Sequence, residues 1–359
     1  MHAMLKKCFG WASTWRIVAL ICLMTALALL GAEMLLRAYP HIAGQRYVNF
    51  IWGNLPDRDL VQWYDPNLKM VFYHENVHVT RYMNGYTWDH QTDARGFRNP
   101  SGTTGSDMVL VGDSFVYGTG LDQGGTFAQL LREKGYDVYN LALIGDNPYS
   151  EMYRLSQYGL PLKPKHVLYF YYQNDQFELS WNLLSEEEMR TFIDQPFEEV
   201  SFERRPERPQ STGPASWIER MLEKTYVGKY LVSTAVWKIE DGKKQFRFDR
   251  GLNWAYLQKA ILYMDNLSRK NGATFVIVPI ILDDPCRISG KSVPCTDGRI
   301  FERAALKEFA RENDIPFLDT RKMNNDGYYL VGDGHFNQEG HEKMAELLDA
   351  HLQGKEVTR

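Results

Sequence analysis

The chain opens on a segment that is apolar on every face, and only later does its pattern alternate. No charge appears from Ile17 to Ala32; Glu33 interrupts, Met34, Leu35 and Leu36 continue the run, and Arg37 and Pro40 close it. A membrane span needs about 20 residues. Ile17 to Leu36 reaches that length if Glu33 lies at the far headgroup level, with Trp11 and Trp15 at the near interface. Lys6, Lys7 and Arg16 precede the run. Positive residues stay on the cytoplasmic side, so the N-terminus is expected inside and everything after Arg37 exported, in the periplasm or beyond. A cleaved signal peptide is the alternative, with Ala26-Leu27-Ala28 as a small-residue site. The apolar run carries on past that site, which favours an uncleaved single-pass anchor.

After the anchor, Pro40 to Pro100 is aromatic-rich and irregular, with short strands expected near Lys69–Tyr73 and His78–Met83. The next stretch alternates strand and helix patterns. Strands are expected at Met108–Val111, Val138–Leu143, His166–Tyr172, Thr274–Leu282 and Pro316–Leu318. Helices are expected at Phe127–Glu133, Ser150–Tyr158, Asn253–Lys270, Ile300–Glu312 and Gln338–Leu352. Strands separated by helix-length crossovers imply a parallel sheet covered on both faces, an α/β/α sandwich. Ligands in such sheets bind outside the carboxyl ends of the strands. The interval from Glu178 to Arg250 is too long for a plain loop. Within it, Ala215–Trp237 reads as a helix with Trp217, Met221, Leu222, Tyr226, Tyr230 and Leu231 roughly on one face. That face either packs on its own domain or serves as a lid or docking face. The expected organisation is a tail and anchor over 1–37, an extension over 38–100, and one domain over 101–355 with an insertion at 178–250.

Composition narrows this little. With 359 residues, 44% of them hydrophobic, the chain can bury one large core or two ordinary ones. A net charge of −4 and the lack of any basic block argue against nucleic acid as a partner. Aromatics at 13% suit a carbohydrate- or membrane-facing surface and equally an ordinary core. Of the four cysteines, Cys8 and Cys22 lie before or inside the anchor, while Cys286 and Cys295 lie in the exported part, flanked by prolines. In an oxidising compartment the latter pair reads as a local disulfide contributing about 3 kcal/mol; two free thiols are the alternative. No neighbouring Cys or His completes a metal-ligand set around them, and no metal or organic cofactor is expected.

The candidate chemistry starts at Val109-Leu110-Val111-Gly112-Asp113-Ser114-Phe115, an apolar strand that ends abruptly in Gly-Asp-Ser. A nucleophilic serine needs that placement at the carboxyl end of a buried strand, where backbone N–H groups can face a developing oxyanion. An ordinary polar turn has the same composition. Near the other end, Val331-Gly332-Asp333-Gly334-His335-Phe336-Asn337 sits just before the last expected helix. Residues two apart on an extended loop point the same way. Asp333 can therefore hold one nitrogen of His335 and leave the other to accept a serine proton. His341, inside the helix, reads as structural. Gly145, after the second strand, and Asn174, after the third, are candidate oxyanion donors through a backbone N–H and a side-chain amide.

The ordered set Gly112-Asp113-Ser114, Gly145, Asn174-Asp175 and Asp333-Gly334-His335 resembles the SGNH/GDSL hydrolase superfamily. The resemblance covers roughly residues 93–180 and 273–352. Gly96-Phe97-Arg98 ahead of the first strand, and Asp333-Gly334-His335-Phe336-Asn337 followed by Gly340-His341, are similar to bacterial membrane-anchored members. It implies a flavodoxin-like three-layer fold with Ser114 as nucleophile, Asp333 and His335 as its acid and base, and Ser114, Gly145 and Asn174 as the oxyanion hole. Two positions depart from the family pattern. Tyr172 replaces the glycine of Gly-x-Asn-Asp, and Gly332 stands where Asp-x-x-His would place its acid. The resulting Asp-x-His form is similar to polysaccharide O-acetyltransferase-like members. The implied activity is hydrolysis of O-acyl, above all O-acetyl, esters on an exported or envelope glycan. The alternatives are acetyl transfer to a glycan hydroxyl together with a multispanning acyl-donor protein, a lipid or thioester hydrolase, and a non-catalytic envelope scaffold on the same fold.

Overall fold

The computed structural model describes residues 2–44, 47–48, 61–172, 174–175, 184–202, 205–207, 225–231, 234, 250–280, 287–288, 291–292 and 301–355. The chain divides into two compact units: Met1–Pro56 with Gln210–Lys243, and Asp57–Pro209 with Lys244–Arg359.

In the first unit a single helix, α1, spans His2–Ala38. Its segment Trp15–Ala38 has a mean hydropathy of 2.3 with no buried residues, and is long and apolar enough to cross a membrane. The interrupting carboxylate has partners: Glu33 accepts the Val227 N–H at 2.9 Å and the Arg37 Nε at 2.7 Å. Tyr47 donates to the Tyr226 carbonyl at 2.7 Å. Of the helix expected over 215–237, only 225–231 and 234 fall within the described residues, and 226–231 is helical.

The second unit is built on strands β5 (Met108–Val111), β6 (Val138–Asn140), β7 (His166–Tyr172) and β8 (Thr274–Ile280), all parallel, in the spatial order β6-β5-β7-β8. That is the second, first, third and fourth strand of the sheet, the flavodoxin-like order. A parallel bridge between Ile277 and Phe317 marks a fifth position where a strand was expected at Pro316–Leu318. All of β5 and β6 and most of β7 and β8 are buried. Helices on both faces leave no solvent side to a parallel sheet, so its strands read as unbroken apolar runs. The crossover helices are α3 (Phe127–Glu133), α4 (Pro148–Arg154), α6 (Arg250–Lys270) and α7 (Phe301–Glu312), with the C-terminal α8 (Gln338–Leu352). Helix α8 packs on α3; α4 packs on α6, together with α5 (Glu186–Asp194) from the long interval. The α/β/α fold class read from the sequence is what the structure has.

The stretch ahead of the sheet is more regular than its sequence suggested. It forms two antiparallel hairpins, β1 (Gln62–Asp65) with β2 (Met70–Tyr73), and β3 (His78–Met83) with β4 (Tyr86–Gln91). Asn84 and Gly85 close the second with φ of 50° and 100°, as two-residue hairpin turns require. Gly96-Phe97-Arg98 is structural. A Cβ on Gly96 would lie 2.4 Å from the Tyr73 carbonyl oxygen, Phe97 enters the core, and Arg98 is 2% exposed. The Arg98 guanidinium donates to the carbonyls of Tyr117 (3.0 Å), Gly118 (2.8 Å), Asp89 (2.8 Å) and Leu121 (2.5 Å). It thereby ties the end of the segment after β5 to the second hairpin. Cys286 and Cys295 lie outside the described residues.

Candidate active site

The turn after β5 is fixed by sterics and by one carboxylate. A Cβ on Gly112 would lie 2.6 Å from Val116 Cγ2 and 3.1 Å from Phe170 Cβ, so no side chain fits. Asp113 caps the short helix α2 (Ser114–Tyr117) by accepting the Phe115 N–H at 3.0 Å. This places Ser114 at the first helical position, at the carboxyl edge of the sheet and only 7% exposed.

The other half comes from the loop before α8. Gly332 and Gly334 adopt φ of 81° and 96°, which glycine allows without strain. The Leu330 N–H donates to the His335 carbonyl at 2.7 Å and closes the turn. Asn337 caps α8 by accepting the Gly340 N–H at 2.9 Å. His335 then lies with Nε2 2.8 Å from Ser114 Oγ and Nδ1 hydrogen-bonded to Asp333 Oδ1. An Nδ1–H donated to the carboxylate leaves Nε2 as the acceptor facing the serine hydroxyl. Burial alone would raise the Asp333 carboxyl, but hydrogen bonds from the His335 ring, Asn84 and the His335 N–H hold it below its ordinary value. The Phe115 ring lies 5.0 Å from the imidazole.

The two expected oxyanion donors each follow a sheet strand, Asn174 after β7 and Gly145 after β6, and only Asn174 contacts the Gly112-Asp113-Ser114 turn among the bonds described. Asn174 follows β7, and its Nδ2 donates to Asp113 Oδ2 at 3.1 Å, while that same oxygen lies 3.4 Å from Ser114 Oγ. The amide therefore sits beside Ser114, bonded to a carboxylate. The adjacent Asp175, fully buried, accepts the Tyr172 N–H at 3.1 Å and the Tyr169 hydroxyl at 3.2 Å and so sets the loop. Gly145 occupies the exposed turn after β6 with φ of 79°. Its neighbours are firmly held. The Ile144 N–H donates to the Tyr73 hydroxyl at 3.3 Å, and buried Asp146 pairs with Arg154 at 2.7 Å and accepts the Leu143 N–H at 3.0 Å. His341 is 1% exposed and accepts the Phe127 N–H at 3.1 Å, 214 residues away in the chain.

Three contributors escaped the sequence reading. Asp113 looked like turn material, yet it is a buried carboxylate touching both Ser114 and Asn174. Burial raises its pKa, against the Phe115 N–H, the neighbouring His335 and the Asn174 amide. Tyr73 supports the loop of Gly145. Asn84 donates to Asp333 Oδ2 at 2.7 Å. Only Asn84 carried a local signal, the Asn-Gly turn, and that signal speaks of a hairpin rather than of an acid 249 residues on. A separate cavity of about 280 Å³, with His78, Gln91, Asp93, Arg95, Asn99 and Tyr139 among its lining, contains none of these site residues.

No protein-family model and no curated protein matches the chain. Among solved structures it is similar to a GDSL-like lipase from Bacteroides thetaiotaomicron (15% identity, TM-score 0.38), with 69% of this chain and 88% of that one covered. It is similar to a lipase/acylhydrolase from Enterococcus faecalis (16%, 0.37; 71% and 99% covered). A third is a psychrotrophic esterase from Pseudoalteromonas sp. (11%, 0.38; 69% and 97% covered).

Proposed function

We propose that this chain is an anchored serine ester hydrolase of the SGNH/GDSL type. The observation that carries the reading is the line Ser114 Oγ, His335 Nε2, His335 Nδ1, Asp333 Oδ1, with 2.8 Å between hydroxyl and imidazole. Hydrogen-bond contact between nucleophile and base, with the base oriented by a third group, is the geometry that activates a serine hydroxyl. Ser114 Oγ attacks the ester carbonyl carbon as its proton passes to His335 Nε2. The oxyanion is received by the N–H groups of Ser114 and Gly145 and by the Asn174 amide, which leaves Asp113 to do so. The tetrahedral adduct collapses, His335 returns the proton to the departing alkoxide, and an acyl-serine remains. Water, or a sugar hydroxyl, then attacks the acyl-serine by the reverse proton path.

The substrate class we assign is an O-acyl, above all O-acetyl, ester on an exported or envelope glycan. Two features support it: the Asp-x-His form of the last motif and, within α1, an apolar run from Ile17 preceded by Lys6, Lys7 and Arg16. In this reading the body stands on the exported side of the membrane, and a multispanning acyl-donor protein becomes a partner only if the reaction runs as transfer. The test is labelling of the full chain, in mild detergent, with a fluorophosphonate probe. Labelling of the wild type at Ser114, its loss in Ser114→Ala, and parallel loss of p-nitrophenyl acetate hydrolysis are expected. An unlabelled wild type overturns the reading in favour of a non-catalytic scaffold. Acetyl appearing on an added glycan, in preference to free acetate, assigns the acceptor as a sugar.

A further inference from the structure

We propose that Asn84, at the tip of the β3–β4 hairpin, is a positioning residue for the Asp333–His335 pair, so that the hairpin ahead of the sheet is part of the active site. The inference rests on the serine-hydrolase reading above for its catalytic meaning, though not for its geometry.

The argument starts from the shortness of Asp333-Gly334-His335. With one residue between acid and base, Asp333 Oδ1 is occupied from within its own turn: it takes the His335 ring Nδ1 and also the His335 backbone N–H at 3.2 Å. Both donors belong to the residue being oriented. They rotate with the loop and cannot fix the carboxylate plane relative to Ser114. A fixed plane needs a donor from another element on the second oxygen, and Asn84 Nδ2 supplies it at 2.7 Å. The same hairpin grips the loop a second time, through the Tyr86 hydroxyl donating to the Val331 carbonyl at 2.9 Å. Without that grip Val331, at 84% exposure, would have little to hold it. The hairpin is itself anchored. Arg98 holds the Asp89 carbonyl of β4 at 2.8 Å, and the Trp88 Nε1 and His90 Nδ1 lie 3.1 and 2.6 Å from the Tyr117 hydroxyl of α2. One rigid piece thus touches both the nucleophile's helix and the acid's loop.

The side chain type matters as well as its place. Asn84 sits at φ 50°, a conformation that Asn and Asp tolerate better than other side chains. Its N–H group is neutral, so it draws charge from Asp333 without competing for the imidazole proton. Among the described residues, the charged or titratable groups facing the His335 ring are Asp333 on its own loop, Asp113 ahead of α2 and His341 on α8. An acid at position 84 would add a second carboxylate against Asp333, and paired carboxylates bind a proton more tightly.

The test compares wild type, Asn84→Ala and Asn84→Asp as full chains. Asn84→Asp keeps the shape and the turn while replacing the donor with an acceptor. Two measurements are made: the pH dependence of the fluorophosphonate labelling rate, and the titration of His335 by NMR on chain carrying ¹⁵N-histidine. Labelling at neutral pH is expected to fall about tenfold in Asn84→Ala, the order for one charge-assisted hydrogen bond. The acid limb of the labelling profile should differ among the three proteins, most between wild type and Asn84→Asp, which sets a second carboxylate against Asp333. A purely structural role would lower the rate in the uncharged Asn84→Ala without moving its titration. The proposal is overturned if His335 titrates alike in all three proteins, whether or not they label. A wild type that does not label while its His335 titration still responds to position 84 overturns the catalytic reading and leaves the positioning contact standing.

Discussion

Replacing Arg98 with methionine should remove a large part of the stability of the sheet-containing unit. The guanidinium is 2% exposed and bonds four main-chain carbonyls, those of Asp89, Tyr117, Gly118 and Leu121, at 2.5 to 3.0 Å. It also lies over the Tyr117 ring at 4.8 Å. A hydrogen bond to a charged group contributes roughly 1.5–3 kcal/mol, and a buried carbonyl left without its donor costs about 1–3 kcal/mol. Against this, methionine removes the desolvation cost of a buried charge, and contributions within one network do not add. The balance is a loss of about 3–5 kcal/mol, as when one member of a buried charged network is removed. Arg98→Lys keeps the charge but reaches fewer carbonyls with one ammonium, and should lose about half as much. Urea unfolding of the full chain in mild detergent, followed by tryptophan fluorescence, reads the change, because Trp88 donates to the Tyr117 hydroxyl that Arg98 covers. The labelling rate of Ser114 should fall too, since two of the four carbonyls close the helix that carries it. A methionine variant within about 1 kcal/mol of wild type would show that the hairpin and helix α2 are held by something other than this guanidinium.

Gly112→Ala places a Cβ 2.6 Å from Val116 Cγ2 and 3.1 Å from Phe170 Cβ. Relief must come from α2 or β7, at a cost of about 1–3 kcal/mol. Ser114 labelling should drop by more than that loss of stability explains, and an alanine variant that labels at the wild-type rate refutes the steric account. The pH dependence of stability should carry the mark of two buried histidines. Burial first, then neighbouring positive charge, pushes His341 down to about 3 and His90 down to about 2. An unfolded histidine titrates near 6.5, so the unfolded chain binds protons that the native state refuses. Stability is therefore complete above about pH 6.5 and falls as pH drops toward 3. His341→Gln keeps an acceptor for the Phe127 N–H and should show a shallower decline of melting temperature between pH 6.5 and 4. Equal slopes in the two proteins would remove His341 from this account.

What could be read from the chain, and what could not, follows the range of the interactions involved. Strands β5 and β7 and helices α3 and α8 lie where continuous or 3.6-periodic apolar runs meet Gly, Pro and capping Asn, signals that are complete within a few residues. The second sheet strand was expected to reach Leu143 but ends at Asn140. Asn140 turns its side chain onto the backbone, accepting the Ala142 N–H at 2.9 Å and donating to the Val116 carbonyl at 2.7 Å, which displaces the ladder. Strand β4 was missed although it alternates, because its inward positions are Trp88 and His90, and a histidine reads as polar until a partner such as Tyr117 is known to wait for it. The same limit divides the site. Ser114, Asp333 and His335 announce themselves because each motif builds its own turn, with the glycine or cap it needs at the next position. Asn84 and Arg98 build nothing locally beyond a hairpin turn and a loop. Their worth lies in carbonyls and a carboxylate brought to them from 9 to 249 residues away. Because those partners hold helix α2 and the Asp333 loop to a single hairpin, substitutions in the extension should alter the reactivity of Ser114 more than its distance from the motifs would imply. Activity measured on variants of Asn84 and Arg98, set beside their stabilities, separates a hairpin that shapes the site from one that only covers the sheet.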